Sequence, residues 1–513
     1  MKGTYRELQR ISAFFFIFYL LGATTVYKQK RFFLVVSIAV LLVLALIITP
    51  RFIEPSTNDL SGLSLPSPPS EKVIPKVMND IIYKEEEWTT NFTHDGAIIK
   101  NGDWYYVYST DYMVGAPPTP GIQIRKSKDL IHWQFVGRVF DQVSSDAWEW
   151  TGGTTYWAPN VVEMNDKFYL YYSVSSVGKR TSYIGLATSD SLEGPWKDEG
   201  AVFKTQEGDG YTVNAIDPDF TFDKEGQPWM VYGSYFGGIF ITKIDPQTGR
   251  LVDPTEEGTL IAQRKNMSYG IEAPEIMYNP DTGYYYLTVS YEWLEDTYNV
   301  RTARSKNITG PYLDFNKNDM VDPSDDSFDT GNKIVGSYAF NKDSGWFGTG
   351  HNGLLEDNGD YYLIHQGRAG EEIYWSHLHV RKIVWTEDGW PVISPERYSG
   401  EKEQKIEEKH IIGDWEQILL PRYDDTMQTS QKLTFLSNGK IEDESGNSSW
   451  KLSGDNSLKL VIYDPGVAPD DYWEYSLKVL PGWDWENWNE TLVFTGMNEE
   501  GTALWGKKQI KGE

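Results

Sequence analysis

The sequence predicts an all-β chain: a five-bladed β-propeller, a smaller C-terminal β-barrel or sandwich, and an N-terminal membrane or signal segment. Three observations predict it. A strand-like phrase rich in Tyr and Trp recurs around Tyr105, Phe168, Trp229, Tyr285 and Tyr361, at steps of roughly 56 to 76 residues, the length of a propeller blade with generous loops. The runs between these phrases alternate aromatic and β-branched residues, broken by turns such as Asn101-Gly102 and Thr282-Gly283, and no long helical periodicity competes with them. After a charged stretch, 401–409, the repeat stops and a tryptophan-rich unit begins.

Each element follows in chain order. Residues 32–49 form an apolar run preceded by Lys28, Lys30 and Arg31, so 1–50 reads as a signal peptide or membrane anchor. A second apolar stretch, 11–27, fits a further membrane segment, or a start site nearer Val26. Residues 51–84 are rich in Pro and Ser and read as a linker. The propeller is assigned to 85–400. Within it, Ser127-Lys128-Asp129-Leu130-Ile131-His132-Trp133 shares a pattern with Ser189 to Trp196 and Ser305 to Tyr312, each an outer-strand turn whose aromatic packs between blades. Residues 410–513 are assigned to an accessory β-domain with seven tryptophans, Trp415, Trp450, Trp473, Trp483, Trp485, Trp488 and Trp505, more of them expected in the core than on a sugar-binding surface.

Composition narrows the partners. A formal charge of −27 argues against nucleic acid and against an anionic membrane surface, both of which need a basic face, and it disfavours a polyanionic substrate. A neutral ligand fits. With no cysteine there is neither a disulfide nor a thiolate metal site. The folded part is expected to work as a secreted or surface-anchored monomer that meets the membrane only through its N-terminal segment.

Stepping back 10 to 13 residues from each repeat marker finds Asp95, Trp157, Asp217, Glu272 and His351. The first strand of every blade lines the propeller axis, so residues far apart in sequence converge there. Glycoside hydrolysis needs one carboxylic acid to protonate the leaving oxygen and a second carboxylate to activate water or attack carbon. A third acid nearby raises the pKa of the first by like-charge repulsion. A metal cage of three carboxylates and a histidine is the competing reading, but it leaves no acid free for chemistry.

The segments around Asp95, Trp157-Ala158-Pro159, Ala215-Ile216-Asp217-Pro218, Ile271-Glu272-Ala273-Pro274 and Gly350-His351-Asn352 resemble, in order, the motif series of glycoside hydrolase family 43. The resemblance covers the whole repeat region and implies an inverting hydrolase, with Asp95 as general base, Glu272 as general acid and Asp217 tuning and orienting Glu272. Gly96 departs from the proline common at that position. Ala273 and the phrase from Tyr232 to Ile239 look most like the α-1,5-L-arabinanases, and the C-terminal unit resembles the accessory barrel of their two-domain extracellular endo-acting type. By the same similarity, Gly178, Asn214, Ala215, Ile216, Ser234, Tyr235 and Phe236 line the substrate cleft, and Trp157 offers a stacking face, with a core aromatic as its competing reading. His351 would hold calcium or another cation at the axis, although hardness alone favours a hydrogen-bonding role for an imidazole. The expected substrate is neutral arabinan. The alternatives are an exo-arabinanase, arabinofuranosidase or β-xylosidase of the same family, with the insertions 141–155 or 316–345 closing one end of the cleft, or a non-catalytic sugar-binding propeller.

Overall fold

The computed structural model describes residues 59–70, 81–111, 119–265, 270–321, 330–340, 343–464 and 471–510. The expected signal or anchor segment, 1–50, lies outside them.

Five antiparallel sheets follow one another along the chain, with inner strands at Ala97–Asn101, Trp157–Met164, Asp219–Phe222, Ile271–Asn279 and Trp346–Asp357. Each repeat marker falls on the second strand of its sheet, as the spacing predicts. These second strands are covered by neighbouring blades on both faces. Lys167–Ser175 is buried at every residue after the first, so it reads as a continuous Phe-Tyr-Leu-Tyr-Tyr run instead of a polar alternation. Apolar layers fill the gaps between blades: Tyr108 with Leu170, Tyr171 with Phe220, Val231 with Leu287, and Val107 with Ile364 where the last blade meets the first. The recurring outer turns behave as expected, with Trp133, Trp196 and Tyr312 packed into these layers.

The seam between blades 1 and 5 is fastened by the segment entering blade 1. Asn91 bridges His377, Leu378 N–H donates to Thr90 O at 2.8 Å, and Ser376 Oγ donates to Thr93 O at 2.6 Å. This fixes the backbone immediately ahead of Asp95.

The C-terminal unit is one seven-stranded antiparallel sheet. Its edge strands, Gln431–Phe435 and Ser449–Ser453, are brought together through bridges from Phe435 to Ile441 and from Lys440 to Ser449. Trp415, Trp450, Trp483 and Trp505 are buried, while Trp473, Trp485 and Trp488 are half-buried. Most of the aromatic content therefore builds core.

The unit is joined firmly to the propeller. Its segment Gln428–Thr429 adds a parallel strand to Tyr338–Ala339 at the edge of blade 5. Asp425 receives both Arg301, at 3.1 Å, and Lys333 from blade 4. Removing one partner from such a buried cluster costs about 3–5 kcal/mol, because the opposite charge is stranded. Residues 59–70, inside the stretch read as linker, contribute as well. Ser64 N–H and Gln404 Oε1 lie 2.9 Å apart, and Leu60 and Leu63 pack on the C-terminal core.

Candidate active site

The inner strands share a backbone device. Asp95, Ala158, Asp217, Ala273 and His351, one per blade, have φ between 39° and 53°. This left-handed region is uncommon for residues with a side chain and costs about 1–2 kcal/mol each time. Strand register shifts across the same points between Trp157 and Asn160, Glu272 and Glu275, and Gly350 and Gly353. A bulge of this kind re-aims side chains that a regular strand would send to opposite faces. Asp95, Asp217 and His351 occupy the kink, while Trp157 and Glu272 stand one residue before it. The common offset read from the sequence is therefore out by one in two blades, and the kink brings both kinds of position to the axis.

Asp95 is the most heavily partnered group. Its Oδ1 meets His94 Nδ1 at 2.7 Å and His351 Nδ1 at 2.8 Å, and its Oδ2 accepts from Thr110 Oγ1 at 2.6 Å. Its own N–H donates to Gln366 Oε1 at 3.0 Å. Burial alone would raise the carboxyl, but the charges and hydrogen bonds of His351 and His94 hold it well below the ordinary value. Asp95 stays ionised. Burial opposes charge on His351, yet Asp95, followed by Asp217 and Glu272, pushes that imidazole up to about 9.

The other two carboxyls move the opposite way. Burial, with the charge of Asp95 adding to it and His351 opposing, raises Asp217 to about 6. Burial and then the charge of Asp217 raise Glu272 to about 8. Asp217 is held in place by Ala273 N–H at 3.0 Å and by its own N–H on Ser173 Oγ at 3.1 Å. The result is an ionised carboxylate and a protonated carboxylic acid in one pocket at neutral pH, the pairing that general acid–base chemistry requires.

Beside Asp95 the pocket opens into a cleft of about 800 Å³, bordered by His94, Thr110, Glu295, Arg368, Tyr374 and Trp375. Tyr374 and Trp293 are well exposed. On the other side, Tyr235 and Phe236 are half-buried, and Tyr235 OH donates to Glu292 O at 3.0 Å. Trp157 is half-buried with its indole N–H on Thr155 Oγ1 at 2.9 Å. Gly178 sits at the tip of a hairpin with open space around it. Asn214, Ala215, Ile216 and Ser234 are buried. Asn214 is bonded between Ser182 and Ser234, and Ala215 N–H donates to Thr205 Oγ1, so this group builds the pocket wall from within.

A second polar ring went unread in the sequence. Two residues past the kink stand Asn160, Asp219 and Glu275, which with Asn352 and His351 line a small axial cavity of about 20 Å³. Asn160 Nδ2 donates to Asp219 Oδ1 at 2.7 Å. Burial raises Asp219 to about 8 and lifts Glu275 well above its ordinary value. Glu275 Oε2 and Asn160 Oδ1 have no hydrogen-bond partner among the described residues. The sequence signal for it is the second carboxylate in Asp217-Pro218-Asp219 and in Glu272-Ala273-Pro274-Glu275, two and three residues after the axis carboxylates.

The family model described as Glycosyl hydrolases family 43 matches residues 89–391, and one described as a C-terminal lipocalin-like domain matches 395–506. The chain belongs to glycoside hydrolase family 43. An extracellular endo-α-(1→5)-L-arabinanase 2 of Bacillus subtilis strain 168 is 32% identical over 459 residues, 81% of this chain and 92% of the relative. The crystal structure of an endo-1,5-α-L-arabinanase from Thermotoga petrophila matches with a TM-score of 0.73 at 30% identity, covering 82% of this chain and 98% of that one. A Cellvibrio cellulosa α-L-arabinanase solved with arabinohexaose matches with a TM-score of 0.52 at 31% identity, covering 59% of this family 43 chain and 95% of its own.

Proposed function

We propose that this family 43 hydrolase is an extracellular endo-acting arabinanase that cleaves α-1,5-L-arabinofuranosidic bonds with inversion. The pairing of an ionised Asp95 with a protonated, half-buried Glu272 carries the reading. Glu272 gives its proton to the glycosidic oxygen as the C1–O bond breaks. Asp95 takes a proton from the water that attacks C1 from the opposite face, and His94, His351 and Thr110 fix its orientation. Asp217 keeps the proton on Glu272 until it is needed.

Internal cleavage is supported by where the long insertions go. Residues 141–155 form the helix Ser145–Thr151, which packs on blade 2 through Trp150, its indole N–H on Ser182 O and Thr205 O. The described part of 316–345 turns toward the C-terminal unit, where Asn316 donates to Glu500 O and Ser337 O accepts from Gln428 N–H. An arabinohexaose complex of a relative and the names of extracellular relatives support the polymer substrate and the compartment. The apolar run 32–49 supports export or surface anchoring. Incubation of residues 59–513 with debranched arabinan should release a ladder of short oligosaccharides whose new ends appear first as the β-anomer by proton NMR. A single short product would make the enzyme exo-acting, and the α-anomer would exclude inversion.

A calcium ion or similar hard cation at the axis fits the donor set. With Nδ1–H donated to Asp95, a neutral His351 has Nε2 left for a metal, and the oxygen-rich cavity beside it contains two unpartnered oxygens. Bound there, through His351 and with Asp217, Asp219 and Glu275 around it, the ion would supply electrostatic neutralisation. A second proton on His351 supplies the same charge, so the two are mutually exclusive. Metal analysis of the purified protein should find about one cation per chain, lost in His351→Ala. Full retention in that variant would remove His351 from the site.

A further inference from the structure

Tyr298 lies outside the repeat that locates the axis residues. It directly precedes the third strand of blade 4, Asn299–Ser305, and is 1% exposed. Its hydroxyl donates to Glu272 Oε1 at 2.8 Å. The ring lies against Gly350, where an added Cβ would collide with it, so the inner strand of blade 5 approaches as backbone alone and seats the phenol. A buried hydroxyl is costly unless bonded, and this one is directed at the carboxyl given the role of acid.

The geometry has a chemical consequence. A carboxylic acid carries its proton on one oxygen only. The carbonyl oxygen of a carboxylic acid accepts better than its hydroxyl oxygen, so a donor fixed on Oε1 favours the proton on Oε2. When the proton departs, the bond from Tyr298 changes from a neutral to a charge-assisted one, which is shorter and about twice as strong. An interaction that strengthens as charge develops lowers the barrier, whereas equal binding of both states does not.

We propose that Tyr298 is a positioning residue for the acid step: its hydroxyl holds the Glu272 proton on Oε2 and stabilises the carboxylate as that proton leaves. In the step it serves, the C1–O bond breaks with its electron pair on the leaving oxygen. That oxygen takes the Glu272 proton, water supplies the new C1–O bond, and Asp95 takes the water proton. The proposal rests on the glycosidase reading above. The opposition between Tyr298 and Asp217 is consistent with it, since Asp217 favours the protonated form of Glu272 and the Tyr298 bond favours the ionised form.

The test is Tyr298→Phe, which removes one oxygen and keeps the ring. On debranched arabinan, whose leaving alkoxide needs a proton, kcat should fall about 10- to 100-fold. On a dinitrophenyl glycoside of α-1,5-arabinotriose, whose leaving group departs without one, kcat should stay within about threefold. Equal loss on both substrates would make the residue merely structural, and no loss on either would leave it no part in the acid step; each overturns the proposal. Wild type that cleaves neither substrate would fail the arabinanase reading itself. In that case the ¹³C resonance of the Glu272 carboxyl, assigned by its absence in Glu272→Gln, decides. It should shift in Tyr298→Phe, and an unchanged resonance overturns the role of Tyr298.

Discussion

Glu272→Gln lowers kcat on arabinan by about 10²- to 10⁴-fold and leaves KM nearly unchanged, because general acid help is realised in the transition state and not in the bound substrate. The amide keeps the shape and can still accept from Tyr298, so the loss reports the missing proton rather than a disturbed pocket. The same group sets the alkaline limit of the enzyme. The acid is active while protonated, and burial with the Asp217 charge pushes its pKa up to about 8. The kcat/KM of wild type should therefore be held below that value and fall tenfold per pH unit above it. In Glu272→Gln this descending limb should vanish. A limb that persists unchanged would assign the titration to another group, and a variant with full activity would remove Glu272 from the acid role.

Asp95→Ala is expected to be as damaging, by about 10²- to 10⁴-fold in kcat, for the complementary reason. Water attacking C1 has to lose a proton, and the remaining carboxyls are otherwise engaged, since Glu272 holds its own proton and the Asp217 carboxylate accepts from Ala273 N–H. Azide needs no base. Adding it to Asp95→Ala should restore turnover and yield the β-configured arabinosyl azide, with Glu272 still protonating the leaving oxygen. An α-configured azide product would place a covalent intermediate in the mechanism, and absence of rescue with the substrate still bound would argue that Asp95 mainly maintains the pocket. The half-buried His94 and the buried His351 lose their shared acceptor in this variant, so a thermal melt should accompany the kinetics.

How far the sequence carried the argument depends on the range of the signal. Blade markers are local strand phrases, and Tyr105, Phe168, Trp229, Tyr285 and Tyr361 all land on second strands because burial on both faces demands such runs. The axis carboxylates were legible for the same reason: Asp95, Asp217 and Glu272 each sit within a short motif at a repeated distance from a marker. The one-residue difference between Glu272 and Asp217 was not, because a kink adjusts which side chain reaches the axis without changing the residues around it. Tyr298 carried no signal at all. It ends the loop between the second and third strands of blade 4, belongs to no repeat, and gains its meaning only when the inner strand of blade 5 comes alongside. The wall formed by Asn214, Ala215 and Ser234 shows the opposite limit. Its motif lies in the wall of the pocket, while the side chains are buried and bonded within the scaffold.

The left-handed kink has a consequence for what this scaffold can become. The same backbone shape holds an aspartate twice, an alanine twice and a histidine once. The conformation thus belongs to the ring and not to its occupant, and each blade offers an addressable socket at the axis. Two sockets are filled with the smallest side chain that still has a Cβ. Reactivity on such a frame can be rewritten by exchanging tenants, one blade at a time, while the architecture that aims them stays as it is.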